Sequence, residues 1–210
     1  MASIEDSLRL AEMICARLCH DLSGLLGTLD AAIALAADDR AESEALDTAV
    51  SVSGELIRRL RLLRAAWTPG GPPMTHAALR GAADGLPRPE RIAVELSALA
   101  PSIRLSPDIG RVLLNVLLLA SEALPLGGEI VVAGSEDDLF IRIAGAKAGW
   151  PPDLAACLAD PVVAKGALVS ARTMQMPLTA LLAHAAGLRL SLLLAPGDSP
   201  APPPLRLSRT

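Results

Sequence analysis

The first 67 residues carry apolar or small side chains at strictly alternating steps of three and four. In the first segment the series is Ile4, Leu8, Ala11, Cys15, Leu18, Leu22, Leu25, Leu29, Ala32 and Ala36. In the second segment it is Leu46, Ala49, Ser53, Leu56, Leu60, Leu63 and Trp67. This spacing lines one face of a helix and is typical of a coiled coil or helix bundle. It predicts two long helices, 4–37 and 42–67, joined by a polar turn at 38–40 into an antiparallel hairpin.

A hairpin of this size leaves much of its apolar surface uncovered, because a single core is barely self-supporting below about 70 residues. We expect two copies of the hairpin to pair into a four-helix bundle, so that the protein is a homodimer. The alternative is that the rest of the chain covers the stripe. The length and regularity of both patterns favour the dimer.

A histidine, His20, lies midway along the first predicted helix. Its heptad position, f, points away from the apolar seam and into solvent. On the same face, Arg17 precedes it by three residues, and Gly24 and Gly27 follow it by four and seven. Each glycine inside a helix costs about 1 kcal/mol relative to alanine, and a flat face for a docking partner is one reason to retain both. A single helical histidine is by itself more often a surface residue without a role, but this face makes His20 a candidate functional residue and makes Arg17, Gly24 and Gly27 candidate docking residues.

The second predicted helix carries a cluster of positive charge at Arg58, Arg59, Arg61 and Arg64. Such a run is most often a solvated helix face. Near a functional histidine, the same field would attract an acidic partner or a phosphate and speed the encounter. Both interpretations stay open from the sequence.

Composition argues against several classes of function. The formal net charge of −4 gives no reason to expect a nucleic acid partner, since phosphate backbones require a basic surface. Cys15, Cys19 and Cys157 match neither a disulfide framework nor a zinc site, so we expect reduced packing residues and no bound metal. The N-terminus lacks the features of a signal peptide, and the apolar run Val112–Ala120 is too short to span a bilayer. We expect a cytoplasmic protein without a membrane partner.

A segment rich in proline and glycine, 69–73, ends the helical pattern and predicts a boundary between domains 1–68 and 74–210. Beyond it the pattern predicts helices at 75–85, 107–124, 152–159 and 174–186. Strands are predicted at 91–96, 102–105, 129–133, 139–143, 189–194 and 205–208. Helices packed on one face of a mixed sheet make an α/β sandwich, and the whole chain is then of the α+β class.

The run Leu18-Cys19-His20-Asp21, followed by a hairpin and a second domain of this size, resembles the ChpT-type bacterial histidine phosphotransferases, which are relatives of sensor histidine kinases. The resemblance implies a dimerisation and phosphotransfer hairpin followed by a degenerate kinase ATPase-like domain. It also implies that His20 accepts a phosphoryl group and that Asp21 supports its imidazole. For Asp21, a merely solvated carboxylate at heptad position g is the alternative.

The helix around Asn115 is similar to the N-box helix of the kinase ATPase domain, but the residues that would hold a nucleotide differ. Where that family places its magnesium-coordinating asparagine, this chain has Leu119, which offers no oxygen to a hard cation. Gly145 and Lys147 stand where the family has its adenine-binding aspartate and the next glycine. The segment 169–175 lacks the glycines of a phosphate loop. We expect this chain to bind no nucleotide cofactor.

Together these features predict a phosphorelay enzyme that receives and donates a phosphoryl group but does not make one from ATP. The resemblance implies that the upstream partner is the receiver domain of a hybrid histidine kinase. Downstream partners are the receiver domains of response regulators, and magnesium is supplied by the receiver. The neutral imidazole of His20 would be the nucleophile. The alternative is a dimeric binding scaffold for two-component signalling proteins, in which His20 is incidental.

Overall fold

The computed structural model describes residues 4–37, 42–193 and 201–209. The chain begins with two long helices, α1 (Ile4–Ala36) and α2 (Glu42–Trp67), which pack side by side as the expected hairpin. The alternating apolar pattern therefore gave both helices within one residue of their observed ends. The expected turn at 38–40 lies outside the described residues.

The rest of the chain folds into short helices and strands around one apolar core. In order, these are β1 (Met74–Thr75), α3 (His76–Ala83), β2 (Ile92–Glu95), β3 (Arg104–Leu105), α4 (Pro107–Glu122), β4 (Gly128–Gly134), β5 (Asp138–Ala144), α5 (Leu154–Ala159), α6 (Pro161–Gly166), α7 (Gln175–Ala185), β6 (Leu188–Leu192) and β7 (Leu205–Arg209). The sequence prediction missed β1 and α6. This short helix begins where Asp160 caps the backbone N–H of Val162 and Pro161 occupies the first turn.

Five strands form one mixed sheet in the order β2-β4-β5-β7-β6. The β2–β4 pair is parallel and the other three pairs are antiparallel. Alternate side chains of these strands are buried in the same cluster as the apolar face of α4, as Ile130 and Val132 of β4 illustrate. Strands β1 and β3 form a separate antiparallel pair. The expected α+β class, with helices on one face of a mixed sheet, is confirmed.

The end of the hairpin shares its core with the second part of the chain. Leu62, Leu63 and Ala66 of α2 are buried in the same cluster as the residues of α4. Near the start of α1, Met13 packs with Met174 and its apolar neighbours. The part of the chain after residue 73, which we call the second domain for brevity, thus covers part of the hairpin, which the sequence analysis had considered the less favoured alternative. The division at 68–74 stays a prediction.

Much of the hairpin's apolar surface nevertheless remains exposed in the single chain. Exposed apolar side chains on the two helices are Ile4, Leu8, Leu26, Ile33, Leu35, Leu46, Val50, Ile57 and Leu60. On α2, residues 46, 50, 57 and 60 continue one stripe at helical spacing. Large exposed apolar patches occur at protein–protein, membrane or ligand contact sites, and the pairing of two hairpins stays a prediction.

Among the described helices, α1 has a stretch, Ser7–Ala36, that is long and apolar enough to cross a membrane. The sequence analysis had considered only the shorter run in α4. Length and composition are the sole basis for this feature. The same stretch carries Arg17 and Asp21, which form ion pairs within the chain.

Candidate functional site

His20 projects from the middle of α1 into solvent, as its heptad position predicted. Its side chain is 68% exposed, whereas that of the next residue, Asp21, is only 8% exposed. The Nδ1 atom of His20 lies 3.4 Å from Oδ1 of Asp21. The interpretation of Asp21 as a solvated surface carboxylate is therefore wrong, because other side chains cover it.

Two arginines surround the Asp21 carboxylate. Arg17, one turn earlier on α1, donates from Nε to both carboxylate oxygens at 3.0 Å. Arg59, on α2, donates from Nη2 to Oδ2 at 3.3 Å. Of the four arginines in the α2 cluster, Arg59 is the buried one, while Arg58, Arg61 and Arg64 are exposed. The structure thus separates one internal arginine from three surface arginines, a distinction that the sequence left open.

Both arginines also reach the second domain. The Nη2 atom of Arg17 donates to Glu122 at the end of α4 at 2.5 Å, and its Nη1 contacts the carbonyl oxygens of Ala171 and Arg172. Arg59 donates from Nη1 to the carbonyl oxygen of Gly85 at 3.2 Å. Arg17 is only 13% exposed. Its donors are used within the chain, and docking of a partner at Arg17 stays a prediction.

Burial and charge act in opposite directions on this network. Burial opposes the charge of Arg17, but the carboxylates of Glu122 and Asp21 outweigh it and raise the pKa of the guanidinium above its ordinary value. For Arg59, burial is the larger effect and lowers the pKa, although Asp21 opposes it. Burial likewise raises the pKa of Glu122, against the attraction of Arg17. An arginine remains a cation throughout, so the network keeps two positive charges beside His20.

An open cleft of about 750 Å³ lies between His20 and the second domain. Its walls include His20, Asp21 and Glu122 together with Arg88 and Arg172. Arg88 donates to the carbonyl oxygens of Ser121 and Pro125, at the end of α4 and just after it. Sequence reasoning missed these arginines, because nothing in their local sequence places them near residue 20.

The face of α1 that follows His20 toward the C-terminus carries no side chain at Gly24 and Gly27. A Cβ built on either Gly24 or Gly27 meets no heavy atom within 4 Å, so this face is open to a partner. Docking at both glycines stays a prediction. Cys15 and Cys19 are exposed in the single chain, which corrects their interpretation as packing residues, whereas Cys157 is buried as expected.

The asparagine shared with the kinase N-box has a structural role. Asn115 is fully buried, and its amide donates to the carbonyl oxygen of Ala66 in the last turn of α2 at 2.7 Å. Gln175 at the start of α7 donates to the side-chain oxygen of Asn115. One turn earlier on α4, Arg111 donates to the carbonyl oxygens of Ala66 and Trp67. These contacts join α4 to the hairpin, and the Asn115 amide makes its hydrogen bonds to other groups of the protein.

The other positions that differ from the kinase pattern have separate environments. Leu119 is fully buried in the apolar core. Gly145 lies so close to Gly127 that an added Cβ would stand 2.4 Å from its carbonyl oxygen. Lys147 has a φ of 60°, so it keeps a backbone conformation that favours glycine although a side chain is present. In the segment 169–175, backbone carbonyls accept from Arg17 and Met174 is buried.

Among residues 4–37, 42–193 and 201–209, no three histidine, cysteine or acidic side chains group as a metal site would require. The two remaining histidines are half-buried. His76 contacts the carbonyl oxygen of Leu96, so its interpretation as an ordinary surface residue is wrong. His184 contacts that of Cys157. His20 is thus the exposed imidazole of the chain.

Comparisons with known proteins show the family of the chain. A family model described as the histidine phosphotransferase C-terminal domain matches residues 76–197. The chain therefore belongs to the histidine phosphotransferase family, and its likeness is to the ChpT type. No curated protein matches the sequence.

Solved structures give the fold. A structure described as a bacterial phosphotransferase superposes with a TM-score of 0.71 at 23% identity, covering 99% of this chain and 97% of that one. The cytoplasmic segment of the histidine kinase QseC has a TM-score of 0.37 at 13% identity, covering 79% and 92%. A histidine kinase from Burkholderia phymatum STM815 has a TM-score of 0.36 at 18% identity, covering 99% and 98%. The first of these shows that both parts of the chain have the phosphotransferase fold.

Proposed function

We propose that this protein relays a phosphoryl group between receiver-domain aspartates through His20. The observation that supports this most directly is the exposed imidazole with a carboxylate beside one of its ring nitrogens. If Nδ1 carries the proton and donates a hydrogen bond to Asp21, the lone pair of Nε2 is free to attack phosphorus. In a family of phosphotransferases, that arrangement suits a nucleophilic histidine.

The transfer requires few changes of bonding. Nε2 forms a bond to phosphorus while the bond from phosphorus to the receiver's aspartate oxygen breaks, and that aspartate leaves as a carboxylate. The proton on Nδ1 stays there, and Asp21 balances the positive charge of the imidazole. The reverse exchange passes the group to the next receiver. Magnesium would come with the receiver domain, so this chain's task is to align the acceptor nitrogen with phosphorus.

We also propose that the chain does not use ATP. The amide of Asn115 is bonded to the last turn of α2, and Leu119 belongs to the core, so neither is available to a nucleotide or its metal. A relay without a nucleotide site receives its phosphoryl group from another protein.

The exposed stripe on the hairpin supports a homodimer. Residues such as Leu26, Ile33, Val50 and Ile57 would be covered if two hairpins formed a four-helix bundle. The same pairing accounts for the apolar character of α1 without a membrane. A carboxylate and an arginine within that helix, both paired to other parts of the chain, would be costly in a bilayer. We therefore propose a cytoplasmic dimer.

Transfer from a phosphorylated receiver tests the proposal. A receiver domain carrying radiolabelled phosphate is purified from its kinase and nucleotide and mixed with this protein. We expect acid-labile label to appear on the wild type and on His76→Gln, but not on His20→Gln. Absence of label on the wild type with every receiver tried would favour a binding scaffold. Label that persists in His20→Gln would show that another residue is the acceptor.

A further inference from the structure

The carboxylate of Asp21 is held by groups that connect the hairpin to the second domain. Oδ1 lies near His20 Nδ1 and Arg17 Nε, and Oδ2 accepts from Arg59. A carboxylate that is 8% exposed requires such partners, because an unpaired buried charge is strongly destabilising. The orientation of the carboxylate toward His20 therefore depends on where the two guanidiniums lie.

Three separate segments of the second domain fix those guanidiniums. Glu122 and the carbonyls of Ala171 and Arg172 bind Arg17, while the carbonyl of Gly85 binds Arg59. Each arginine thus spans from Asp21 to a backbone or side-chain acceptor outside the hairpin. The planar, forked guanidinium can hold two acceptors at fixed angles, which a lysine ammonium does less well.

A buried arginine is a costly way to fill the site of Arg59. Its side chain is 7% exposed, and an apolar residue of similar volume would avoid the loss of hydration that a buried guanidinium suffers. Stability therefore gives little reason for an arginine here. Geometry gives one, since Arg59 approaches the Asp21 oxygen opposite the one that faces His20.

We infer that Arg59 is a positioning residue, which, with Arg17 and Glu122, orients Asp21 toward Nδ1 of His20 and makes the second domain part of the phosphotransfer site. This inference rests on the proposed function and extends it. The arginines hold the carboxylate, the carboxylate holds the proton on Nδ1, and the Nε2 lone pair then faces solvent. The second domain thus contributes to the reaction without a nucleotide, because its groups bind the two arginines that hold Asp21.

The test combines a spectroscopic readout with a kinetic one, using the full-length chain. The ¹⁵N chemical shifts of the His20 ring report which nitrogen carries the proton. We expect the Nδ1–H tautomer in the wild type and a mixture of tautomers in Arg59→Met. At saturating phosphorylated receiver, transfer to Arg59→Met should slow by about 10–100-fold, by analogy with the loss on removing a group that orients a metal-bound histidine. The receiver concentration giving half-maximal rate should change little.

Two further variants complete the test. Arg59→Lys should recover only part of the rate, because its ammonium cannot hold both acceptors in the same way. Arg189→Met, an exposed arginine of β6 that does not line the cleft, should behave as the wild type. If Arg59→Met is poorly folded by circular dichroism, Glu122→Gln is measured instead. We expect the His20 tautomer and the transfer rate to change in the same direction, but by less.

The outcomes separate the inference from the proposed function. A folded Arg59→Met protein with the tautomer and rate of the wild type would overturn the inference while leaving the relay intact. An equal loss in Arg189→Met would also overturn it. If neither the wild type nor any variant accepts label, but the His20 tautomer changes in Arg59→Met, the positioning role of Arg59 is supported and the proposed relay function is refuted.

Discussion

Replacing Asn115 by alanine removes the amide that joins α4 to the last turn of α2. Asn115 is the single asparagine of the sequence, and it is fully buried. Its side chain donates to the carbonyl oxygens of Ala66 at 2.7 Å and of Arg111 at 2.9 Å, and it accepts from Gln175 at 3.2 Å. If these bonds hold the two parts of the chain together, their loss should reduce stability.

The expected loss in the free energy of unfolding depends on which hydrogen bonds the partners of Asn115 retain. The carbonyl of Ala66 retains a bond from Arg111, and the amide of Gln175 retains Thr179, so neither loses all its partners. Each lost bond is then worth about 1 kcal/mol, and the small cavity adds to this. We expect Asn115→Ala to lower the free energy of unfolding by about 2–3 kcal/mol. For a chain of this size, that corresponds to a fall of about 5–10 °C in Tm.

Urea unfolding and scanning calorimetry measure this change. Asn115→Asp is the matched variant, because it has nearly the same shape but replaces the donor with an oxygen that faces two carbonyl oxygens. It should cost more than the alanine variant, above about 3 kcal/mol. A loss below about 0.5 kcal/mol in both variants would refute the structural role of Asn115. That result is the one expected of a residue retained to bind a ligand.

Three other changes test separate parts of the structure. Ile57→Glu places a charge on the exposed hairpin stripe and should convert a dimer to a monomer by light scattering, whereas Leu126→Glu, at a more exposed residue of the second domain, should not. Gly85→Ala should cost about 1–3 kcal/mol in urea unfolding, because the new Cβ would lie 2.4 Å from the carbonyl oxygen of Arg58. Gly81→Ala in the open face of α3 should be neutral or slightly stabilising, and equal effects of the two would contradict the close contact. Because burial raises the pKa of Glu122, the folded state binds a proton at a pH where the unfolded chain does not. The stability of the wild type relative to Glu122→Gln should therefore fall as pH rises above 4.5, the ordinary pKa of a glutamate, and a rise there would show that the ion pair with Arg17 dominates.

The long helices and the position of His20 could be predicted because they depend on local patterns. An apolar period sustained over more than 30 residues fixes α1, and the proline and glycine residues after Trp67 end α2. The same pattern placed His20 on the solvent side. In contrast, the six-residue α6 was missed, although α5 of the same length was predicted.

The environment of Asp21 could not be predicted, because it depends on residues distant in sequence. Arg59 is 38 residues from Asp21, and Glu122 is 105 residues from Arg17. A heptad position shows which way a side chain leaves its helix, but not what another domain places there. Asn115 illustrates the same limit. The sequence places Asn115 in a helix similar to the kinase N-box. Its hydrogen bond to Ala66 could not be predicted, because it forms only when α4 packs on α2.

Onward transfer from isolated, phosphorylated protein is the most direct test of the relay. The protein is labelled by a phosphorylated receiver, purified from it, and mixed with a fresh unphosphorylated receiver and magnesium, with no nucleotide present. We predict that label moves from acid-labile phosphohistidine at His20 to a base-labile aspartyl phosphate on the new receiver. Label that stays on the protein with every receiver, or that reaches His20 only when ATP is added, would contradict a nucleotide-independent relay.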